Sequence, residues 1–206
     1  MTIRIAKLVM AVWIKSVVFF FFVFLVCLAH GQGLDMTLQS GASGADVVRS
    51  VQSRLENSNI FNAPAAVTEW QAYELFVREM AFVESQDGTL GVQNGGIWRI
   101  SQKIFKQTQQ LDLNEIFDRI CRIFCISWRD IGYDDLSRPL YSGLAVSIYL
   151  HHLYLTNQSS LQGDSTDMDR ALFWDVSFGE FRDTSQWLMR IEQLREIEGN
   201  QMHAQP

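Results

Sequence analysis

Glu84 is the first residue whose side chain and position in the sequence suggest a role in acid catalysis. It ends a predicted helix in the segment Glu84-Ser85-Gln86-Asp87-Gly88. At 100° per residue, Glu84 falls in the middle of an apolar stripe that includes Tyr73 and Met80. Burial disfavours the charged form of a carboxyl and would raise the pKa of Glu84. A general acid that works near neutral pH needs such a raised pKa. Glu84 is therefore the candidate proton donor, and the alternative is a structural Glu that reaches water or pairs with Arg99 or Arg138.

The other reactive side chains give weaker signals. Cys121 and Cys125 are four residues apart and share a face of a predicted helix. We expect two packed cysteines there, with a sterically awkward disulfide as the alternative. His151 and His152 are adjacent, so they point in different directions and make a poor metal site. The sequence predicts no cofactor and no metal ion.

The elements that must position Glu84 are helices, so the predicted fold class is mainly α. A capping box at Thr68 starts the helix that runs from Glu69 to Ser85. A short, irregular, glycine-rich hairpin or loop follows it. Further helices are predicted over residues 102–109, capped by Ser101, and over residues 113–126, capped by Asp112. The last three are predicted over residues 140–154, which is apolar on all sides and central, 169–176 and 184–197.

Composition and charge limit the classes of function. The chain has 206 residues, of which 48% are hydrophobic, and this favours one folded domain. The net charge is -6 and no basic patch is present, which excludes a typical nucleic-acid-binding module. All 23 acidic residues lie beyond residue 33, so the body is distinctly acidic. Such a body disfavours non-specific adhesion to anionic walls or lipids.

Residues 1–31 are predicted to be a signal peptide. Arg4, Lys7 and Lys15 precede an apolar run over residues 17–29, and small residues follow at the cleavage positions. This run is shorter than the roughly 20 residues of a transmembrane helix. We expect a secreted, extracellular protein with no stable membrane insertion after cleavage; an uncleaved signal anchor is the alternative.

Residues 32–66 are predicted to be a flexible leader, in which a short amphipathic stretch over residues 47–55 is a candidate helix. Residues 67–200 are predicted to be the folded domain and residues 201–206 a disordered tail. Asn157-Gln158-Ser159 is a glycosylation sequon.

The Glu84–Gly88 segment resembles the Glu-Ser-x-x-Gly element of goose-type lysozymes and the Glu-Ser start of bacterial lytic transglycosylases. The stretch Gly95-Gly96-Ile97-Trp98-Arg99 stands where those families carry a glycine-rich, cleft-lining segment. Residues 139–149 resemble their central helix of small residues. The resemblance covers about residues 68–152. It implies a lysozyme-like helical domain of a secreted, animal-type variant.

The resemblance also implies roles for individual residues. Glu84 would protonate the glycosidic oxygen of a β-linked aminosugar polymer, peptidoglycan or a chitin-like polysaccharide. The residues that would contact the sugar or line its cleft are Ser85, Gly95, Gly96, Trp98, Arg99 and Tyr141. Ser85 has an equally good interpretation as the closing residue of the helix, and Trp98 and Tyr141 as core residues.

Two departures from the family pattern bear on catalysis. Arg99 stands where transglycosylases have Gln, and a cation there could hold Glu84 ionised. An inverting glycosidase also needs a base about 6.5–9.5 Å from the acid. Asp87 is the candidate, although an Asp before Gly is equally typical of a turn. A transglycosylase-type reaction does not need this base.

The sequence thus predicts a monomeric, secreted glycosidase whose partner is its polysaccharide substrate. One alternative is a catalytically inactive module of the same fold that binds a glycan or a protein. Another is a secreted helical interaction protein with no sugar site.

Overall fold

The computed structural model describes residues 35–61, 67–92, 94–158, 161–178 and 183–203. Within these ranges the chain forms seven α-helices and no strand, which confirms the mainly-α prediction. One compact unit spans Met36–Pro206. The predicted signal peptide lies outside the described residues.

The α-helices occur in the predicted order with small differences in their bounds. Their ranges are α1 Ala45–Ser58, α2 Val67–Ser85, α3 Gln102–Gln110, α4 Asn114–Phe124, α5 Pro139–Leu155, α6 Asp167–Phe178 and α7 Thr184–His203. Three short 3-10 helices span Met36–Leu38, Trp128–Asp130 and Tyr133–Ser137. Helix α7 continues past its predicted end at Ile197, so the tail predicted from residue 201 is wrong for residues 201–203.

The flexible leader predicted over residues 32–66 is also wrong for the part that the structure describes. Helix α1 buries Val47, Val48, Val51 and Leu55 in the core. These residues recur at helical spacing and form one apolar face, so the amphipathic helix predicted over residues 47–55 is present and longer than predicted. The folded unit therefore starts about thirty residues earlier than predicted.

Helix α5 lies in the centre of the fold, as its continuous apolar sequence predicts. Pro139 occupies the first turn, and most of its side chains are buried. Helix α1 crosses it closely at Gly143, where an added Cβ would lie 2.5 Å from Val51 Cγ1. This glycine allows the two helices to pack.

An aromatic cluster joins α2 to α6 and α7. Phe76 of α2 stacks on Trp187 of α7 at 5.3 Å between ring centroids, and Phe173 of α6 meets Phe76 edge-on at 5.2 Å. Trp174 of α6 lies 5.2 Å from Trp187. The cluster packs α6 and α7 against α2, whose C-terminal half is mostly buried.

The segment after α2 consists of successive turns rather than a hairpin of paired strands. Gln86, Asp87 and Gly88 all have positive φ, as do Gly95 and Gly96. Local backbone hydrogen bonds, such as Ile100 N–H to Gly95 O at 3.1 Å, close these turns. The left-handed residues keep the chain from extending, which is why no strand forms in the described part of this segment.

Helix α3 begins as predicted, since Ser101 Oγ accepts a hydrogen bond from the Ile104 N–H. Helix α4 differs: Leu113 is its N-cap and makes no side-chain cap, while Asp112 accepts a hydrogen bond from the Asn114 side chain. Cys121 and Cys125 are free thiols and exposed, so their predicted packing is wrong.

Candidate functional site

Glu84 lies in the last turn of α2 and is only 8% exposed. Trp174 Nε1–H donates a hydrogen bond of 2.8 Å to Glu84 Oε1. The indole belongs to the aromatic cluster and is itself buried. The apolar stripe therefore predicted the burial of Glu84 correctly, and a neutral donor from α6 meets its carboxyl.

Ser85 is fully buried and closes the end of α2. Its hydroxyl donates to Ile97 O at 2.7 Å and accepts a hydrogen bond from the Gly88 N–H at 2.8 Å. These bonds fix the turn after α2 against the later glycine-rich turn. A role for Ser85 in sugar binding is not compatible with this burial, and the helix-closing interpretation fits.

Asp87 forms a buried ion pair with Arg78. Arg78 Nη1 and Nη2 lie 2.7 and 3.2 Å from the two carboxyl oxygens, and Arg78 also meets Glu198 at 3.1 Å. The Arg78 side chain is only 12% exposed. Burial raises the pKa of Asp87, and the charge of Arg78 opposes this shift. The pair ties α2 to the turn after it, and Asp87 is not free to act as a base.

Trp98 is a core residue rather than an exposed platform for a sugar ring. It is fully buried, and its Nε1–H donates to Val77 O at 2.8 Å. This hydrogen bond anchors the glycine-rich turn to α2. The predicted sugar contact of Trp98 is wrong in this arrangement.

Gly95 and Gly96 are buried against the protein's own backbone. An added Cβ at Gly95 would lie 2.3 Å from Ile100 O, and one at Gly96 would lie 2.2 Å from Leu136 O. The predicted close approach therefore exists, but the partners are protein carbonyls instead of a substrate.

Arg99 and Tyr141 are half-buried and keep some contact with solvent. Among the described residues, Arg99 Nε is buried without a hydrogen-bond partner. The Arg138 guanidinium lies over the Tyr141 ring, 5.1 Å from the ring centroid. Of the six residues predicted to contact the sugar, these two are the ones the fold leaves partly accessible.

Glu79 is a second buried carboxyl of α2. The sequence pattern did not identify it as buried because it falls outside the apolar stripe. Arg170 of α6 holds it with two hydrogen bonds, Nε to Oε2 at 2.6 Å and Nη2 to Oε1 at 3.1 Å. Arg170 also contacts Asp167 at 2.6 Å. Burial raises the pKa of Glu79, and Arg170 opposes this shift. Glu79 is thus a structural ion-pair residue.

Two cavities lined by described residues lie away from Glu84. One, of about 260 Å³, lies between α4 and the 3-10 helix that follows it, beside Cys121 and Arg129. The other is a narrow apolar groove among α1, α2 and α5, beside Tyr73 and Ser147. Neither of these two includes a predicted site residue.

The described ranges contain no group of three or more His, Cys, Asp or Glu side chains placed to hold a metal ion. In the same ranges every helix is too short or too polar to cross a lipid bilayer. Comparisons with protein-family models, with curated proteins and with solved structures gave no match.

Proposed function

We propose that this protein is a secreted, lysozyme-like enzyme that cleaves a β-linked aminosugar polymer, with Glu84 as its single proton donor. The observation that carries the proposal is the buried carboxyl of Glu84 at the end of α2, hydrogen-bonded by the Trp174 indole. Removal of a carboxyl from water favours its neutral form, which is the form that a general acid needs.

The ion pair of Asp87 favours one type of reaction. A carboxylate fixed by Arg78 is a poor base for activating water. In the proposed reaction Glu84 protonates the glycosidic oxygen, and the bond from that oxygen to the anomeric carbon breaks. A hydroxyl of the same sugar then bonds to the anomeric carbon and returns its proton to Glu84. The product is an internal ether, and no water is consumed.

Peptidoglycan is the proposed substrate, and Arg99 and Tyr141 are the proposed sugar contacts. Both are partly accessible. A guanidinium such as that of Arg99 has several N–H groups that can donate hydrogen bonds to sugar hydroxyls. An extracellular site of action agrees with the signal peptide predicted over residues 1–31.

The direct test compares Glu84→Gln with the wild type in clearing of purified peptidoglycan. We expect the rate of clearing to fall by at least about 100-fold, which is the rate enhancement that a general acid usually contributes. Glu192→Gln, which changes an exposed carboxyl of α7, is the matched control and should keep full activity. Mass spectrometry of the products should show the internal ether, which is lighter by one water than the hydrolysis product. No clearing by the wild type, or equal clearing by Glu84→Gln, contradicts the proposal.

The second candidate function is a glycan-binding module without turnover. It is favoured by one observation, the ion pair of Asp87 with Arg78, because the residue predicted as the second catalytic carboxylate is then held by an arginine. Binding of chitin or peptidoglycan oligomers without any product would support this candidate. Calorimetry with the wild type and with Glu84→Gln would then give the same affinity.

A further inference from the structure

The C-terminal end of α5 closes in a motif that places Asn157 at the surface. The Gln158 N–H donates to Leu153 O at 2.9 Å, and the Asn157 N–H donates to Tyr154 O at 3.0 Å. Asn157 has a φ of 53°, in the left-handed region. This pair of bonds around a left-handed residue is a Schellman motif, in which Asn is one of the tolerated residues.

The motif engages the backbone of Asn157 and leaves its side chain outside. Asn157 is exposed, as are Thr156 before it and Gln158 after it. The Asn157 side-chain amide makes no hydrogen bond to another described residue. The Thr156 hydroxyl, in contrast, donates a hydrogen bond to His152 O. The amide nitrogen therefore faces solvent just beyond the C-terminal end of α5.

Asn157 is also the one Asn in the 206-residue sequence that is followed two positions later by Ser or Thr. Together, this sequon and the exposed amide point to a modification site. We propose that Asn157 carries an N-linked glycan. The inference rests on passage through the secretory pathway, which residues 1–31 predict, and does not depend on glycan cleavage by the protein.

The reaction transfers an oligosaccharide from a lipid-pyrophosphate donor. The Asn157 amide nitrogen bonds to the anomeric carbon of the first sugar and loses one proton. The bond from that carbon to the phosphate oxygen breaks, and the lipid pyrophosphate leaves with its electron pair. No oxidant or reductant is needed. The folded chain can accept the product because the amide points away from the core.

The attached glycan would also cover apolar surface. Leu155, two residues before the sequon, is 53% exposed at the end of α5. A bulky hydrophilic group here would shield this side chain from other molecules. We therefore expect the unglycosylated protein to associate more readily than the glycosylated protein at equal concentration.

The experiment uses the full chain expressed in cultured animal cells, with the protein collected from the medium. Treatment with an amidase that removes N-glycans should increase its mobility on a denaturing gel. The amidase converts the glycosylated Asn to Asp, so treatment in ¹⁸O-water should label position 157 in the peptide map. The chain has a built-in control in Asn200-Gln201-Met202, which lacks the hydroxyl residue and should stay unlabelled.

Sequon variants provide the second arm. Ser159→Ala should abolish the mobility shift without changing Asn157, and Ser159→Thr should keep it. Secreted protein with no shift and no label at Asn157 overturns the proposal, as does a shift that persists in Ser159→Ala. A chain that never leaves the cytosol overturns it too, since the donor is absent there.

Discussion

Trp174 Nε1 and Glu84 Oε1 lie 2.8 Å apart, and their hydrogen bond joins the end of α2 to the middle of α6. The same two helices also meet at the Glu79–Arg170 ion pair. Helix α6 therefore donates to two buried carboxyls of α2, through the Trp174 indole to Glu84 and through the Arg170 guanidinium to Glu79.

The first prediction concerns coupling between Trp174 and Glu84. Trp174→Phe keeps an aromatic ring beside Trp187 and removes the N–H donor. We expect it to lower the free energy of unfolding by about 1–3 kcal/mol, the cost of removing a hydrogen-bond donor from a buried acceptor. In a double-mutant cycle with Glu84→Gln, measured by urea denaturation, the two changes should be non-additive by at least about 0.5 kcal/mol. Additive effects would mean that the hydrogen bond contributes nothing.

The second prediction concerns Asp87. Asp87→Asn leaves the buried Arg78 without its main partner, so we expect a loss of about 3 kcal/mol in the free energy of unfolding. Asn tolerates the left-handed backbone at this position, which limits the change to the lost charge. Any glycan-cleaving activity per folded molecule should stay the same, because Asp87 is not the proposed base.

The matched control for Asp87 is Asp46→Asn. Asp46 also pairs with an arginine, Arg49, but its side chain is 93% exposed. An exposed pair contributes about 0–1 kcal/mol. Equal losses in the two variants, or a selective loss of activity in Asp87→Asn, would contradict the structural role of Asp87.

The sequence predicted the local structure well because helical spacing, caps and prolines act over a few residues. The burial of Glu84 followed from its angle on the α2 stripe. The same method placed Glu79 outside the stripe, and it failed because α6 covers a second side of α2. The partner of Glu79 lies 91 residues away in sequence, and no local pattern predicts such a pairing.

The glycine-rich turn shows a different limit. Its composition is typical of an exposed, ligand-binding loop, and nothing within it indicates contact with Leu136 and Ser142. The burial of Trp98 likewise depends on a bond to Val77 O, which only the tertiary structure supplies. Sequence alone thus predicted the burial of Glu84, but not the tertiary contacts that bury Gly96 and Trp98.

The third prediction tests that turn. Gly96→Ala should destabilise the protein by at least about 3 kcal/mol, because its Cβ would overlap the Leu136 carbonyl and its φ of 72° adds backbone strain. Gly91→Ala is the control, since its φ is also positive but an added Cβ meets nothing within 4 Å. Backbone strain alone should lower the free energy of unfolding of Gly91→Ala by about 1–2 kcal/mol. Thermal unfolding that ranks Gly91→Ala as the more damaging change would contradict the packing of Gly96.

The fourth prediction concerns the pH dependence of stability. His151 of α5 is half-buried, with its ring 5.9 Å from that of Phe61. Burial lowers the pKa of His151 below its ordinary value of 6.5, and the charge of His152 lowers it further. The unfolded chain therefore takes up a proton at His151 more readily than the folded protein does. Its contribution to stability is complete above pH 6.5 and is lost as the pH falls through the lower, folded-state pKa.

His151→Phe should remove this loss of stability at low pH while keeping an aromatic ring against Phe61. We expect the wild type to lose more of its free energy of unfolding than the variant between pH 7.5 and about pH 5. Urea denaturation at several pH values measures the difference between the two proteins. Glu79 and Asp87 have raised pKa values, which make stability fall as the pH rises, opposite to the effect of His151. Both residues are present in the two proteins, so their contributions cancel in that comparison. His152→Gln, which keeps His151, should retain most of the wild-type pH dependence. Parallel pH curves for the wild type and His151→Phe would show instead that His151 titrates alike in the folded and unfolded chain.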